Sequence, residues 1–172
     1  MTIKVSKPAI NIREKLNDLD FDKVPFQKMP AGSVVQVVSG IGAADPETST
    51  TSTTNVATGI YASITPKSKN NKIYCSVSGG MFYVPGGEIG FLEIYRDDVN
   101  LGHEMRVRAD YTMGSSTTGN TEAPVSLECV DSPNTIEEVT YKLYIRSNLG
   151  VNIQVNNHSH TAAVMTLMEI VG

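Results

Sequence analysis

Ile136-Glu137-Glu138-Val139-Thr140-Tyr141-Lys142-Leu143-Tyr144-Ile145-Arg146 has a period of two, with Val139, Tyr141, Leu143 and Ile145 on one face. Alternation of this kind, rich in branched and aromatic residues, marks a half-buried β-strand. On the N-terminal side, Asp131-Ser132-Pro133-Asn134 is a turn, preceded by a strand over 123–130. On the C-terminal side, Ser147-Asn148-Leu149-Gly150 turns the chain into 151–155. The last strand, 161–171, sets Ala163, Met165, Leu167 and Glu169 opposite Ala162, Val164, Thr166, Met168 and Ile170. Its second half is apolar on both faces, which predicts a central strand or one that meets another subunit.

The same period runs back through the chain. Residues 72–84 form a long strand with Ile73, Cys75 and Val77 on one face, and Gly79-Gly80 predicts a bulge in its middle. Strands are predicted over 89–95 and 101–113, joined by a hairpin connection at Arg96-Asp97-Asp98-Val99-Asn100. Residues 50–64 read as one extended run, because the Thr-rich start feeds directly into an alternating segment and Thr is a good strand former. A short strand at 33–38 comes first. About eight to ten strands at regular spacing with tight turns predict an all-β, antiparallel sandwich or jelly roll.

The first 32 residues differ. Asn11 is placed as an N-cap with Glu14 in capping-box position, and Ile12, Leu16 and Leu19 share one helical stripe. A helix of two to three turns is marginal alone, so the stripe needs the domain, a sister subunit or another protein. Pro25 and Pro30 then mark a linker. The chain divides into an arm, 1–32, and a β-sandwich domain, 33–172.

Composition agrees with one domain of 172 residues, 40% hydrophobic and only 19% charged. A net charge of −4 argues against a nucleic-acid partner and against docking on an anionic membrane. No apolar run is long enough to span a bilayer, and the first eight residues have no apolar core of a secretory signal. Cys75 and Cys129 read as thiols within strands; a disulfide would need their Cα atoms within about 7 Å.

Catalytic motifs are missing from the sequence. Val77-Ser78-Gly79-Gly80 does not fit a nucleophile elbow, and Gly86-Gly87-Glu88-Ile89-Gly90 lies between strands, as a turn would. The adjacent carboxylates Asp97-Asp98 and Glu137-Glu138 would point to opposite faces of a strand. His158-Ser159-His160 places two imidazoles on one side of an extended segment. That segment is either a solvated loop or, around a three-fold axis, an octahedral metal site. No other cofactor is implied, and the reading is non-enzymatic.

Several strings, in order, resemble structural proteins of tailed bacteriophages, particularly those of cyanobacterial and other aquatic hosts. They are Lys7-Pro8-Ala9-Ile10-Asn11-Ile12-Arg13-Glu14-Lys15-Leu16, Met29-Pro30-Ala31-Gly32-Ser33-Val34-Val35-Gln36-Val37-Val38, Thr58-Gly59-Ile60-Tyr61-Ala62-Ser63-Ile64-Thr65-Pro66-Lys67-Ser68, Glu93-Ile94-Tyr95-Arg96-Asp97, Tyr141-Lys142-Leu143-Tyr144-Ile145-Arg146-Ser147 and Met165-Thr166-Leu167-Met168-Glu169-Ile170. The resemblance implies a homotrimeric jelly roll of the complement/tumour-necrosis-factor type. It implies a short fibre or knob on the virion, held to other virion proteins by residues 1–32, with Ile12, Leu16 and Leu19 at the anchor or on the trimer axis. Tyr83 and Tyr111 are then candidates to face a host-surface glycan. Capsid decoration and a free lectin-like module are the alternative roles.

Overall fold

The computed structural model describes residues 28–41, 48–109, 119–156 and 162–172. Ten strands lie within them: β1 (Val34–Ile41), β2 (Thr48–Thr50), β3 (Val56–Ile64), β4 (Lys72–Val84), β5 (Ile89–Arg96), β6 (Val99–Arg108), β7 (Thr121–Asp131), β8 (Val139–Ser147), β9 (Ile153–Val155) and β10 (Ala163–Ile170). All pairings are antiparallel. The eight long strands pair from the outside of the sequence inwards: β1 with β10, β3 with β8, β4 with β7 and β5 with β6. That is one long hairpin. Further pairing of β10 with β4 and of β8 with β5 rolls it into two sheets. One runs β1-β10-β4-β7, with the short β9 and β2 continuing it beside the end of β4, and the other runs β3-β8-β5-β6. This strand order is that of a jelly roll, and it makes β10 a central strand as its two apolar faces predict.

The alternation fixes which side chains meet between the sheets. Ile73, Cys75 and Val77 of β4 and Met165 and Leu167 of β10 face Ile60, Ile64, Leu92, Ile94, Tyr141, Leu143 and Ile145, all fully or almost fully buried. Phe82 is fully buried, and its ring occupies the space over Gly90: a Cβ at Gly90 would lie 2.6 Å from the ring carbons Cε1 and Cζ.

The bulge at Gly79-Gly80 sits where β10 leaves β4 and β9 takes its place, pairing with Phe82 and Tyr83. Gly80 has φ +66°, and a Cβ there would lie 2.3 Å from Asn156 Oδ1. Asn156 holds the junction: its N–H donates to the Met81 carbonyl (2.8 Å) and its Oδ1 accepts the Ala163 N–H (3.1 Å).

Residues 50–64 do not form a single strand. Between β2 and β3 the Ser52 hydroxyl bonds Thr54, and the Ser52 carbonyl accepts the Ser147 N–H at 2.8 Å. Local hydroxyl bonding of this kind competes with a ladder. Of the strand expected over 101–113, β6 runs to Arg108, Ala109 still exchanges backbone bonds with Glu88 (3.0 Å) and Gly87 (2.9 Å), and 110–113 lie outside the described residues.

Among the described residues three carboxylates are buried, Glu88, Glu93 and Glu169, and the two at the ends of the sandwich have donors to match. Glu169 accepts the Lys67 N–H (2.7 Å), Asn71 Nδ2 (2.7 Å) and Gln36 Nε2 (2.6 Å). Glu88 accepts the N–H groups of Ile89, Leu149 and Val151 and the Ser147 hydroxyl. Burial pushes the Glu88 carboxyl up, but these donors outweigh it and hold the group below its ordinary range.

At the β1 edge the chain is tied to its own C-terminal segment. Gly32 N–H donates to the Val171 carbonyl (2.8 Å), and Val171 N–H donates to the Ser33 carbonyl (2.9 Å).

Candidate functional site

Each sheet has an outer face, and the two differ in chemistry. On the β1-β10-β4-β7 sheet the register lines up side chains in rows. One row is Val37, Met168, Tyr74 and Val130. Val34 and Ile170 flank it on one side, and Ser39, Thr166, Ser76 and Glu128 on the other. Val34, Val37 and Val130 expose 47%, 57% and 55% of their surface. Single exposed apolar residues need no explanation, but a band running across a whole sheet marks an interaction surface. Few charges interrupt it. Tyr74 donates its hydroxyl to the Glu128 carboxylate, and that bond raises the Tyr74 pKa.

The outer face of the β3-β8-β5-β6 sheet is polar and aromatic. Phe91 is sandwiched by two guanidinium groups, Arg146 at 3.5 Å and Arg106 at 6.0 Å from the ring centre. Arg146 also donates to Glu93 (3.3 Å) and Glu104 (2.7 Å). Glu93 is buried at the centre of the face and takes further donors from the amides of Asn55 (2.9 Å) and Asn100. Tyr95 stacks on Tyr144 with ring centres 4.0 Å apart. The charges on this face are largely paired within it, so it is suited to water or to a polar ligand.

Beside this cluster a shallow groove of about 400 Å³ runs over β3 and β8, lined by Gly59, Tyr61, Ser63, Thr140 and Lys142 among others. It lies where the β3–β8 register slips between Ala57 and Tyr61. Thr58 repairs that slip: its hydroxyl donates to the Leu143 carbonyl (2.8 Å) and accepts the Ile60 N–H (3.1 Å). Tyr61 is left half exposed along the groove.

Of the residues singled out from sequence, Tyr83 lies on β4, half-buried, opposite Glu122 and Gln154. Ile12, Leu16, Leu19, Tyr111, His158 and His160 lie outside the described residues. Tyr83 is thus the one of these candidates that the described residues place. Sequence reasoning missed the Phe91–Glu93–Arg146 and Tyr61 groups. The signal was the outward half of the same alternation that gave the core. Among the described residues no group of three His, Cys, Asp or Glu is placed to hold a metal ion. Nor is any described helix long and apolar enough to cross a membrane.

No protein-family model matches the chain, and no curated protein matches it. Among solved structures it is similar to the infectious bursal disease virus VP2 subviral particle, at 17% identity and a TM-score of 0.44, over 96% of this chain and 37% of that one. It is also similar to the T13 viral particle of infectious bursal disease virus, at 15% identity and a TM-score of 0.37, over 96% of this chain and 40% of that one. The chain thus spans about two fifths of the length of these proteins. At such identity and TM-scores the likeness carries no functional argument, and the jelly-roll reading rests on the strand order alone.

Proposed function

We propose that this chain is a phage virion structural protein, a short homotrimeric knob that binds rather than catalyses. The carrying observation is the apolar band of Val34, Val37, Met168, Ile170 and Val130 on the outside of a jelly-roll sheet. A monomer would leave that band in water; a sister subunit removes it from water. The count of three comes from the sequence resemblance, as does the virion. Residues 1–32, with the Ile12, Leu16 and Leu19 stripe, dock the knob to other virion proteins. With one sheet turned towards sister subunits, the polar and aromatic sheet faces outwards, where Tyr61 and its groove contact the host surface together with Tyr111; Tyr83, on β4, belongs to the opposite sheet and is not part of that surface.

The test is the native mass by light scattering of the full chain and of a chain starting at Ala31. About three times 18.6 kDa for both places the association in the sandwich. Collapse to single chains on truncation moves it to the arm, and a full-length monomer refutes the trimer. Antibody labelling of intact particles then distinguishes a tail-tip knob from decoration of the head; absence from particles refutes the virion role.

A further inference from the structure

Cys75 and Cys129 are distant in sequence yet are direct partners in the β4–β7 ladder. Both are free thiols, both point into the core, and they expose 0% and 4% of their surface. Directly opposed residues on antiparallel strands have Cα atoms about 4.5 or 5.5 Å apart, and both spacings fall within the range a disulfide bridges. The backbone is therefore already placed for a bond that has not formed.

We propose that Cys75 and Cys129 are a peroxide-oxidisable dithiol that closes into a cross-strand disulfide, locking β7 to β4. Three features support this. First, among the described residues β7 pairs only with β4 and so is an edge strand, which opens more readily than a central one. Second, near-complete burial excludes bulky disulfides, so the oxidant must be small, such as hydrogen peroxide, and reach the pair as the β7 edge opens. Third, the neighbouring Cys75 holds the Cys129 thiol below its ordinary range, so Cys129 is taken as the sulfur that reacts first.

The chemistry balances. The Cys129 thiolate attacks one peroxide oxygen, the O–O bond breaks, and hydroxide leaves, giving a sulfenic acid. The Cys75 sulfur then attacks the Cys129 sulfur. The S–O bond breaks and hydroxide leaves, becoming water with the proton that Cys75 gives up; the proton that Cys129 lost on forming its thiolate neutralises the first hydroxide. Two thiols lose two electrons, and one peroxide becomes two waters. The lock stays open in a reducing cytosol and closes once the protein is outside it. This inference does not depend on the virion reading.

The experiment treats the full chain with hydrogen peroxide, quenches it, and measures intact mass and thiol alkylation in denaturant. The expected result is a loss of about 2 Da with neither cysteine alkylated, reversed by a reducing agent. The melting temperature rises by roughly 5–10 °C in the oxidised form, because the bond closes a long loop of the unfolded chain. Cys75→Ser should instead leave a sulfenic acid at Cys129, trapped by dimedone as the protein is opened in denaturant. Where that variant fails to fold, Cys75→Ala serves. The proposal is overturned if both thiols still alkylate under peroxide that has converted methionines to sulfoxides. It is equally overturned if the product is a disulfide between chains, or if oxidation lowers the melting temperature.

Discussion

Gly90→Ala tests the packing between the sheets at a single atom. Gly90 has no left-handed φ, so a methyl group adds no backbone strain, only volume. That methyl carbon would sit 2.6 Å from two carbons of the Phe82 ring and 2.9 Å from Val84 Cγ2. Ordinary carbon contacts are 3.5–4.0 Å, so the ring must retreat by about 1 Å. It has little room, because Phe82 is fully buried and β5 is hydrogen-bonded on both sides by β8 and β6. Overpacking of this kind costs about 1–3 kcal/mol, offset by about 0.4–1 kcal/mol from the stiffer unfolded chain. A net loss of about 1–2 kcal/mol lowers the melting temperature by about 2–4 °C per kcal/mol in a chain of this size. Phe82→Leu alone should cost on the order of 1–2 kcal/mol. In the double variant the new methyl fills space the ring vacated, so the two losses should fall short of their sum by about 1 kcal/mol or more. Urea midpoints of the four proteins, at one protein concentration so that any association is held constant, give the cycle. Losses that add to within about 0.5 kcal/mol refute the contact as the cause.

Three other outcomes are expected. Val37→Lys with Val130→Lys should reduce the native mass to one chain of 18.6 kDa while leaving the far-ultraviolet circular dichroism unchanged, since each half-exposed valine contributes about 1 kcal/mol of burial per subunit. Glu88 has a folded pKa below its ordinary value of 4.5, so its contribution is complete above pH 4.5 and lost as pH falls through the lower folded value. Urea midpoints should therefore drop on acidification below that point, and less steeply in Glu88→Gln. Gly80→Ala combines a positive φ with a 2.3 Å clash and should cost about 2–4 kcal/mol, whereas Gly102→Ala, with φ +74° and open space, should cost only about 1 kcal/mol in thermal melts.

Much of the fold is legible because a two-residue period leaves a strand little choice. The full length of β4, its bulge at Gly79-Gly80, and the inward set of β8 all follow from alternation and glycine placement. The interruption after β2 was hidden: seven hydroxyl-bearing and branched residues favour a strand, and only the Ser52 bonds to Thr54 and Ser147 turn the chain aside. The surfaces were harder to read. Phe91, Arg106 and Arg146 are far apart in sequence and meet through the registers of three strands. The facing of Cys75 by Cys129 likewise depends on one register that alternation alone leaves open, because a shift of two residues preserves every inward position. Glu169 falls among apolar partners in sequence, and its three donors arrive from two distant segments, β1 and the β3–β4 connection.

The bonds between Gly32, Ser33 and Val171 have a practical consequence. Polypeptide joined ahead of residue 32 and polypeptide joined after residue 172 leave the sandwich side by side, at the pole shared with the Asp97-Asp98 hairpin. A fusion tag at the C-terminus would therefore crowd the arm it was meant to avoid. The opposite pole carries Asn148-Leu149-Gly150, with Leu149 67% exposed. Foreign peptides grafted there would point away from any anchored end, and a permuted chain cut there and rejoined across the old termini would keep all four hairpin pairings of the roll.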